Sequence, residues 1–201
     1  MLGPSRIEAA AIEIVAIGSS AGGVKALIAV LGALPAGFPL PLVVVQHLDP
    51  HHKTVLAEIL GRRSPLRIKL AEDGESTEPG VVYLAPPNQH LLVKPGGTLA
   101  LSATEQVKFV RPSADLLFES VAIAYGPSAL VCVLTGTGSD GAAGAAAVKS
   151  RGGTVVTEDP ESAEFRGMPQ AVANAVAVDL VLPLADVAGA LVGLVKGTRS
   201  S

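Results

Sequence analysis

Tryptophan is absent from this chain, and four phenylalanines and two tyrosines are its only aromatic residues. A core without aromatic bulk must be filled by Ala, Val, Leu and Ile, which together with abundant glycine favours closely packed layers of helix and sheet. Cysteine is scarcer still. The single Cys132 lies in the apolar run Leu130-Val131-Cys132-Val133-Leu134; it reads as a buried thiol, and one cysteine excludes an internal disulfide framework. Neither sign of charge dominates: 15 basic against 18 acidic residues leave a net charge of −3, with no basic patch for nucleic acid and no charged tail for a polymer. No apolar run has the length of a membrane span, and the start Met1-Leu2-Gly3-Pro4-Ser5-Arg6 lacks the apolar segment of a signal peptide. These absences point to a soluble cytoplasmic domain with no nucleic-acid partner and no membrane insertion.

What is present is a regular alternation. Ile12–Ile17, Leu42–Gln46, Ile68–Leu70, Val81–Leu84, Leu130–Leu134, Thr154–Thr157 and Leu180–Leu182 are short β-branched runs that read as strands. Between them Val24–Leu34, Thr54–Leu60, Ala114–Tyr125, Ala142–Ser150, Gln170–Ala175 and Asp186–Val195 read as helices. Strands this apolar, each followed by a helix, predict an α/β fold: a doubly wound, mostly parallel sheet with helices on both faces. Only Leu91–Lys94 and Thr98–Leu101, flanking Pro95-Gly96-Gly97, break the rhythm, as a β-hairpin. The 201 residues suit one domain, over residues 12–195, with flexible ends at 1–11 and 196–201.

Chemistry enters at the strand ends. Ser20 stands in Gly18-Ser19-Ser20-Ala21-Gly22-Gly23, between a strand and a helix. The spacing Gly18-x-Ser20-x-Gly22 fits a nucleophile elbow, whose turn is too tight for a Cβ. His47 closes the next strand, and carboxyl ends of parallel strands share one sheet edge with neighbours about 4.8 Å apart. If those two strands are adjacent, the imidazole reaches the hydroxyl. Asp140 follows a third strand in Thr135-Gly136-Thr137-Gly138-Ser139-Asp140-Gly141. Alone it would complement the positive end of the helix beginning near Gly141, worth roughly 0.5–2 kcal/mol. Together the three are nucleophile, base and orienter of acyl transfer.

In order and spacing, Ile17–Gly23, Val44-Val45-Gln46-His47-Leu48, Tyr83-Leu84-Ala85-Pro86 with His90, Pro112–Phe118, Leu134–Gly141 and Gly167-Met168-Pro169 resemble the catalytic domain of the chemotaxis receptor methylesterases, the protein-glutamate methylesterases of CheB type. The resemblance runs from about Ile12 to Leu184. It implies a Ser20, His47, Asp140 triad in that chain order, whereas α/β-hydrolases run serine, acid, histidine. It also implies hydrolysis of glutamate γ-methyl esters on the cytoplasmic helices of chemoreceptors, as in chemotaxis signalling, with glutamine deamidation as a second activity of some members. Backbone amides of Ala21 and Thr137 would form the oxyanion hole. Ala21 stands where the family often has threonine and Thr137 where it usually has methionine, changes that leave a backbone donor in place.

Two further classes compete. His47, Asp49, His51 and His52, with His90, could ligate zinc in a metal hydrolase; a use for His47 and the proline within the cluster count against it, and no metal or other cofactor is expected. A nucleotide-binding module would use Gly18-x-x-x-Gly22-Gly23, but Gly-x-Gly-x-x-Gly is missing, and a catalytically silent receptor-binding domain would keep the triad for stability alone. Arg62, Arg63, Arg111 and Arg166 are candidates to meet acidic receptor helices. Two-domain members of the resembled family carry an amino-terminal receiver domain, which needs on the order of 100 residues. About a dozen precede the first predicted strand, so activity without a phosphoryl donor is expected, with any regulation acting in trans, as by a separate receiver domain, or through a segment outside these 201 residues.

Overall fold

Residues 10–47 and 55–197 are described by the structure, a computed structural model. Seven strands form one sheet in the order β3 (Arg67–Leu70), β4 (Val81–Leu84), β2 (Leu42–Gln46), β1 (Ile14–Ser19), β7 (Ala129–Val133), β8 (Thr154–Glu158) and β9 (Leu180–Leu182), and every neighbouring pair is parallel. The central strands β1, β2 and β7 are buried at every position, as both-sided coverage of a parallel sheet requires. The edge strand β3 instead carries Arg67 and Lys69, charges that discourage pairing with another chain.

Residues alternate between the two faces of each strand. Val15 and Ile17 face helices α1 (Gly23–Ala33), α2 (Leu56–Gly61) and α6 (Leu184–Gly197), while Ile14 and Ala16 face α3 (Ala114–Tyr125), α4 (Ala142–Ser150) and α5 (Gly167–Ala175). The helices meet the sheet through narrow stripes, such as Ala26, Leu27, Val30 and Leu31 on α1. Each fully buried leucine or valine there contributes roughly 1.5–3 kcal/mol. The expected hairpin is β5 (His90–Lys94) with β6 (Thr98–Ser102), antiparallel; its Leu91, Val93 and Leu99 pack on the α3 side.

The fold is therefore the α/β doubly wound sheet with one hairpin that the strand pattern predicted. β1 runs two residues later than expected, α1 and α2 shift by a residue or two, and α5 and α6 differ most in extent. α5 begins a turn earlier than Gln170, because Pro169 is its third residue and needs no amide donor in a first turn. α6 runs to Gly197, so residues 196 and 197 are helical. The topology also positions the site: from β1 the chain crosses to β2 on one side, while β7 lies on the other. That makes the carboxyl end of β1 a switch point, where open α/β sheets leave a crevice.

Candidate active site

Register sets the backbones of the first two residues side by side, with no hydrogen bond between the Ser20 hydroxyl and the His47 ring among the described residues. β1 pairs with β2 with Ser19 opposite Gln46, so Ser20 and His47 are the next residues out on adjacent strands, and the His47 amide donates to the Ser19 carbonyl at 3.1 Å. On the other side Gly18 lies opposite Val133 of β7, and the Ser20 amide donates to the Thr135 carbonyl at 3.0 Å. The turn after Ser20 closes through Gly22 at φ +75°, the residue that caps α1, where a side chain would be strained. Gly18 serves a different need from the one its spacing suggested. It lies within β1, and a Cβ there would come within 2.9 Å of Ala114 and 3.1 Å of Phe118, so its job is to let α3 approach the sheet. A packing requirement thus accounts for the glycine that a dinucleotide fingerprint would claim.

A buried side chain fastens the two strand ends. Gln46 accepts from Ser19 Oγ at 2.7 Å and donates through Nε2 to the carbonyls of Ser20 and His47 at 2.8 and 2.9 Å. All three of its polar contacts go to the residues that set the separation of Ser20 and His47.

His47 and Asp140 meet directly, with Nε2 at 2.8 Å from Oδ2 and the two side chains 13% and 4% exposed. The carboxylate also accepts from Ser113 Oγ at 2.8 Å and from the amides of Ala114 and Asp115 at 2.6 and 3.0 Å. Those donors are the N-cap and first turn of α3. Asp140 does complement a helix N-terminus, but that of α3 and not of α4, which its place in the chain suggested and which is capped by Gly141. Burial pushes the Asp140 carboxyl up, yet the hydrogen bonds from His47 and from the amides of Asp115 and Ala114 outweigh it, holding the group down at about 2. It is a fixed anion at neutral pH. Beside it, Asp115 accepts from the Gly144 amide at 2.9 Å and pairs with Lys108 at 2.7 Å, tying α3 to α4.

The Gly136–Thr137 turn lies against the serine. A Cβ on Gly136 would come within 2.8 Å of the Ser20 Cβ and would run into Met168. Thr135, just before it, is a junction: its Oγ1 accepts from the Phe165 amide at 2.8 Å and donates to the Ala21 carbonyl at 3.1 Å, and its own amide donates to buried Glu158 at 2.7 Å. The amides of Ala21 and Thr137 make no hydrogen bond among the described residues. A cavity of about 380 Å³ opens at Ser20, bordered by Gly22, Lys25, Ile28 and Glu164. Sequence reasoning passed over Gln46, Ser113, Thr135 and Glu158. Only Ser113 carried a local signal, a serine directly before an apolar helical run.

Other candidates fall elsewhere. Asp49, His51 and His52 lie outside the described residues. Both ring nitrogens of buried His90 are engaged by backbone: Nδ1 accepts from the Ser113 amide at 3.1 Å, and Nε2 donates to the Glu105 carbonyl at 3.0 Å. The described residues contain no group of three His, Cys, Asp or Glu side chains placed to hold a metal. Arg111 binds Asn88 and the carbonyls of Ala103 and Thr104, which makes it a loop brace and not a free cation. Arg62 and Arg166 stand near Glu58 and Glu161 on the exposed surface, and Arg63 is exposed. Cys132 is buried as expected, its thiol pushed up by desolvation. No helix among the described residues is long and apolar enough to cross a membrane.

Known proteins share this arrangement of chain. A putative protein-glutamate methylesterase/protein-glutamine glutaminase of Leptospira interrogans is 41% identical over 176 residues, covering 88% of this chain and 91% of its own. Protein-glutamate methylesterase/protein-glutamine glutaminase 4 of Myxococcus xanthus is 42% identical over 185 residues, 92% of this chain but 52% of its own. The chain thus spans about half the length of that relative and of several others. The crystal structure of the Thermotoga maritima CheB methylesterase catalytic domain superposes with a TM-score of 0.87 at 40% identity, covering 91% of this chain and 98% of that one. With the CheB methylesterase family model matching residues 15–191 as well, sequence and fold agree over the same span, and the chain belongs to the CheB methylesterase family.

Proposed function

We propose that residues 12–195 act as one catalytic domain that hydrolyses γ-methyl esters of glutamate on the helices of a receptor. Ser20 is the nucleophile, His47 the base and Asp140 the orienter. The observation that carries this reading is the 2.8 Å hydrogen bond from His47 Nε2 to Asp140, made on the strand next to Ser20. With Nε2–H donated to the carboxylate, Nδ1 holds the free lone pair and takes the hydroxyl proton as Ser20 Oγ attacks the ester carbonyl. Asp140, an anion at neutral pH, stabilises the imidazolium that results. The Ala21 and Thr137 amides supply donors to the developing oxyanion, each worth roughly 3–4 kcal/mol where such donors have been removed. His47 returns its proton to methoxide, methanol leaves, and water repeats the sequence on the acyl-enzyme. The relatives' names pair methylesterase with glutaminase; the same route serves a glutamine γ-amide, with ammonia leaving.

Ser20→Ala removes one oxygen from a surface turn, so methanol release from a methylated receptor fragment should vanish while the fold and melting temperature persist. Labelling by a fluorophosphonate should vanish with it, which separates an enzyme from a silent receptor-binding domain. A folded Ser20→Ala variant that still releases methanol at the parent rate sinks the assignment.

A further inference from the structure

Aromatic residues are few, and two of them are exposed: Phe109, 93% exposed, and Phe165, 40% exposed. Both sit on loops fastened to the segment from Thr135 to Asp140. Phe165 holds its near end, its amide donating to Thr135 Oγ1 at 2.8 Å and its carbonyl accepting from the Gly136 amide at 3.0 Å. Phe109 is tied to its far end through its neighbour, since Lys108 Nζ donates to the Ser139 carbonyl at 3.0 Å and pairs with buried Asp115 at 2.7 Å.

The Phe109 turn is also strained. Val107 and Val110 exchange hydrogen bonds of 3.1 and 3.0 Å across it, leaving Lys108 and Phe109 as its two central residues at φ +49° and +66°. Hairpin turns of this shape favour asparagine and glycine at both positions, because a Cβ is disfavoured in the left-handed region. A phenylalanine here buries nothing within the domain to offset the strain. A backbone outlier held in place by an ion pair, presenting a fully exposed ring beside a reactive loop, is the pattern expected of a contact residue.

We propose that Phe109 and Phe165 form an apolar clamp for the polypeptide substrate, seating apolar side chains on the same helix as the esterified glutamate. This rests on the methylesterase reading above. The occupant follows from placement: the two residues stand on loops anchored to the two ends of the segment that carries Thr137 and Asp140, so a helix presenting its ester at Ser20 lies beside those loops. Rigid aromatic rings at such a rim act on binding, and contacts of this kind dominate recognition energetics. Small esters lack the flanking residues and gain nothing from the clamp.

The test compares two substrates: a helical receptor fragment carrying radiolabelled glutamate γ-methyl esters, and p-nitrophenyl acetate. Phe109→Asn should raise the melting temperature, since asparagine suits the turn, while lowering the ratio of kcat/KM for the fragment over that for the small ester by about tenfold or more. The loss should appear chiefly as a higher KM. Phe165→Ser should act in the same direction, and the double variant should lose more than either. An unchanged ratio in all three variants overturns the clamp while leaving the esterase intact. A parent protein that cleaves the small ester through Ser20 but never the methylated fragment overturns the substrate reading, and the clamp with it.

Discussion

Asp140 and Glu158 are both buried carboxylates at the same edge of the sheet, one in the loop after β7 and the other closing β8, and they are 4% and 2% exposed. Their charge behaviour is opposite. Asp140 accepts from His47, from Ser113 Oγ and from two amides at the start of α3, and titrates well below the usual carboxylate range. The Glu158 carboxylate accepts one hydrogen bond among the described residues, from the Thr135 amide, and burial, the leading cause, pushes it up. Burial alone raises a carboxyl group; convergent donors and a helix N-terminus reverse the sign. One carboxylate is thereby held as an anion against His47, while the other is a buried acceptor for the amide of Thr135, in the loop beside Ser20.

The largest test removes the charge of the first while keeping its shape. Asp140→Asn should cost on the order of 10⁴ in kcat, the size of loss seen when the orienting aspartate of a serine-protease triad is changed the same way. Methanol release from the folded variant measures it, and a loss below tenfold would reduce Asp140 to a helix-terminal carboxylate. Next comes the link between the two regions. Thr135→Val keeps the volume but deletes the hydroxyl that ties Ala21 and Phe165 together; kcat should fall roughly 10- to 100-fold with KM little changed, as expected for a misplaced oxyanion donor. Thr135→Ser should restore most of it.

Stability should separate the carboxylates in acid. Asp140 is depressed from 3.8 to about 2, so its contribution is present above about pH 4 and is lost as pH falls toward 2. That contribution is on the order of 2 kcal/mol, at about 1.4 kcal/mol per unit of displacement. Denaturant melts between pH 5 and 2 should show this slope in the parent and a flatter one in Asp140→Asn. Glu158, displaced upward, has the opposite sign: its protonated form favours folding, and that stability is lost as pH rises past the ordinary glutamate range. The smallest effect is therefore Glu158→Gln, which still accepts from the Thr135 amide. At neutral pH it should melt no lower than the parent, with kcat within about threefold. A large loss of activity in this variant would show that the Glu158 anion is needed and would erase the contrast.

Much of this was legible in the chain. Strand and helix positions follow from apolar periodicity, a property of neighbouring residues, and so the seven strands, the hairpin and the two-faced sheet could be read directly. The arrival of Ser20, His47 and Asp140 at one edge was legible too, because each follows an apolar run, at or a few residues past its end, and the carboxyl ends of parallel strands share an edge. Gly18 shows the limit: its spacing matched an elbow, but the reason for the missing side chain is Ala114, almost a hundred residues away. His90 and Arg111 looked like a ligand and a surface cation, and in the fold they are spent on carbonyls and amides of loops.

The sequence by itself determined that an α/β sheet forms and that a hydroxyl, an imidazole and a carboxylate arrive at its carboxyl edge, since hydrophobic pattern and turn chemistry are local. Only the tertiary structure decided that β2 and β7 flank β1, that Gln46 locks Ser20 to His47, and that Asp140 draws its donors from α3 and not from the helix it precedes. Those outcomes depend on which buried groups find partners across the sheet. A buried polar atom takes whatever donor the packing brings within 3 Å or so, and no run of adjacent residues encodes that choice.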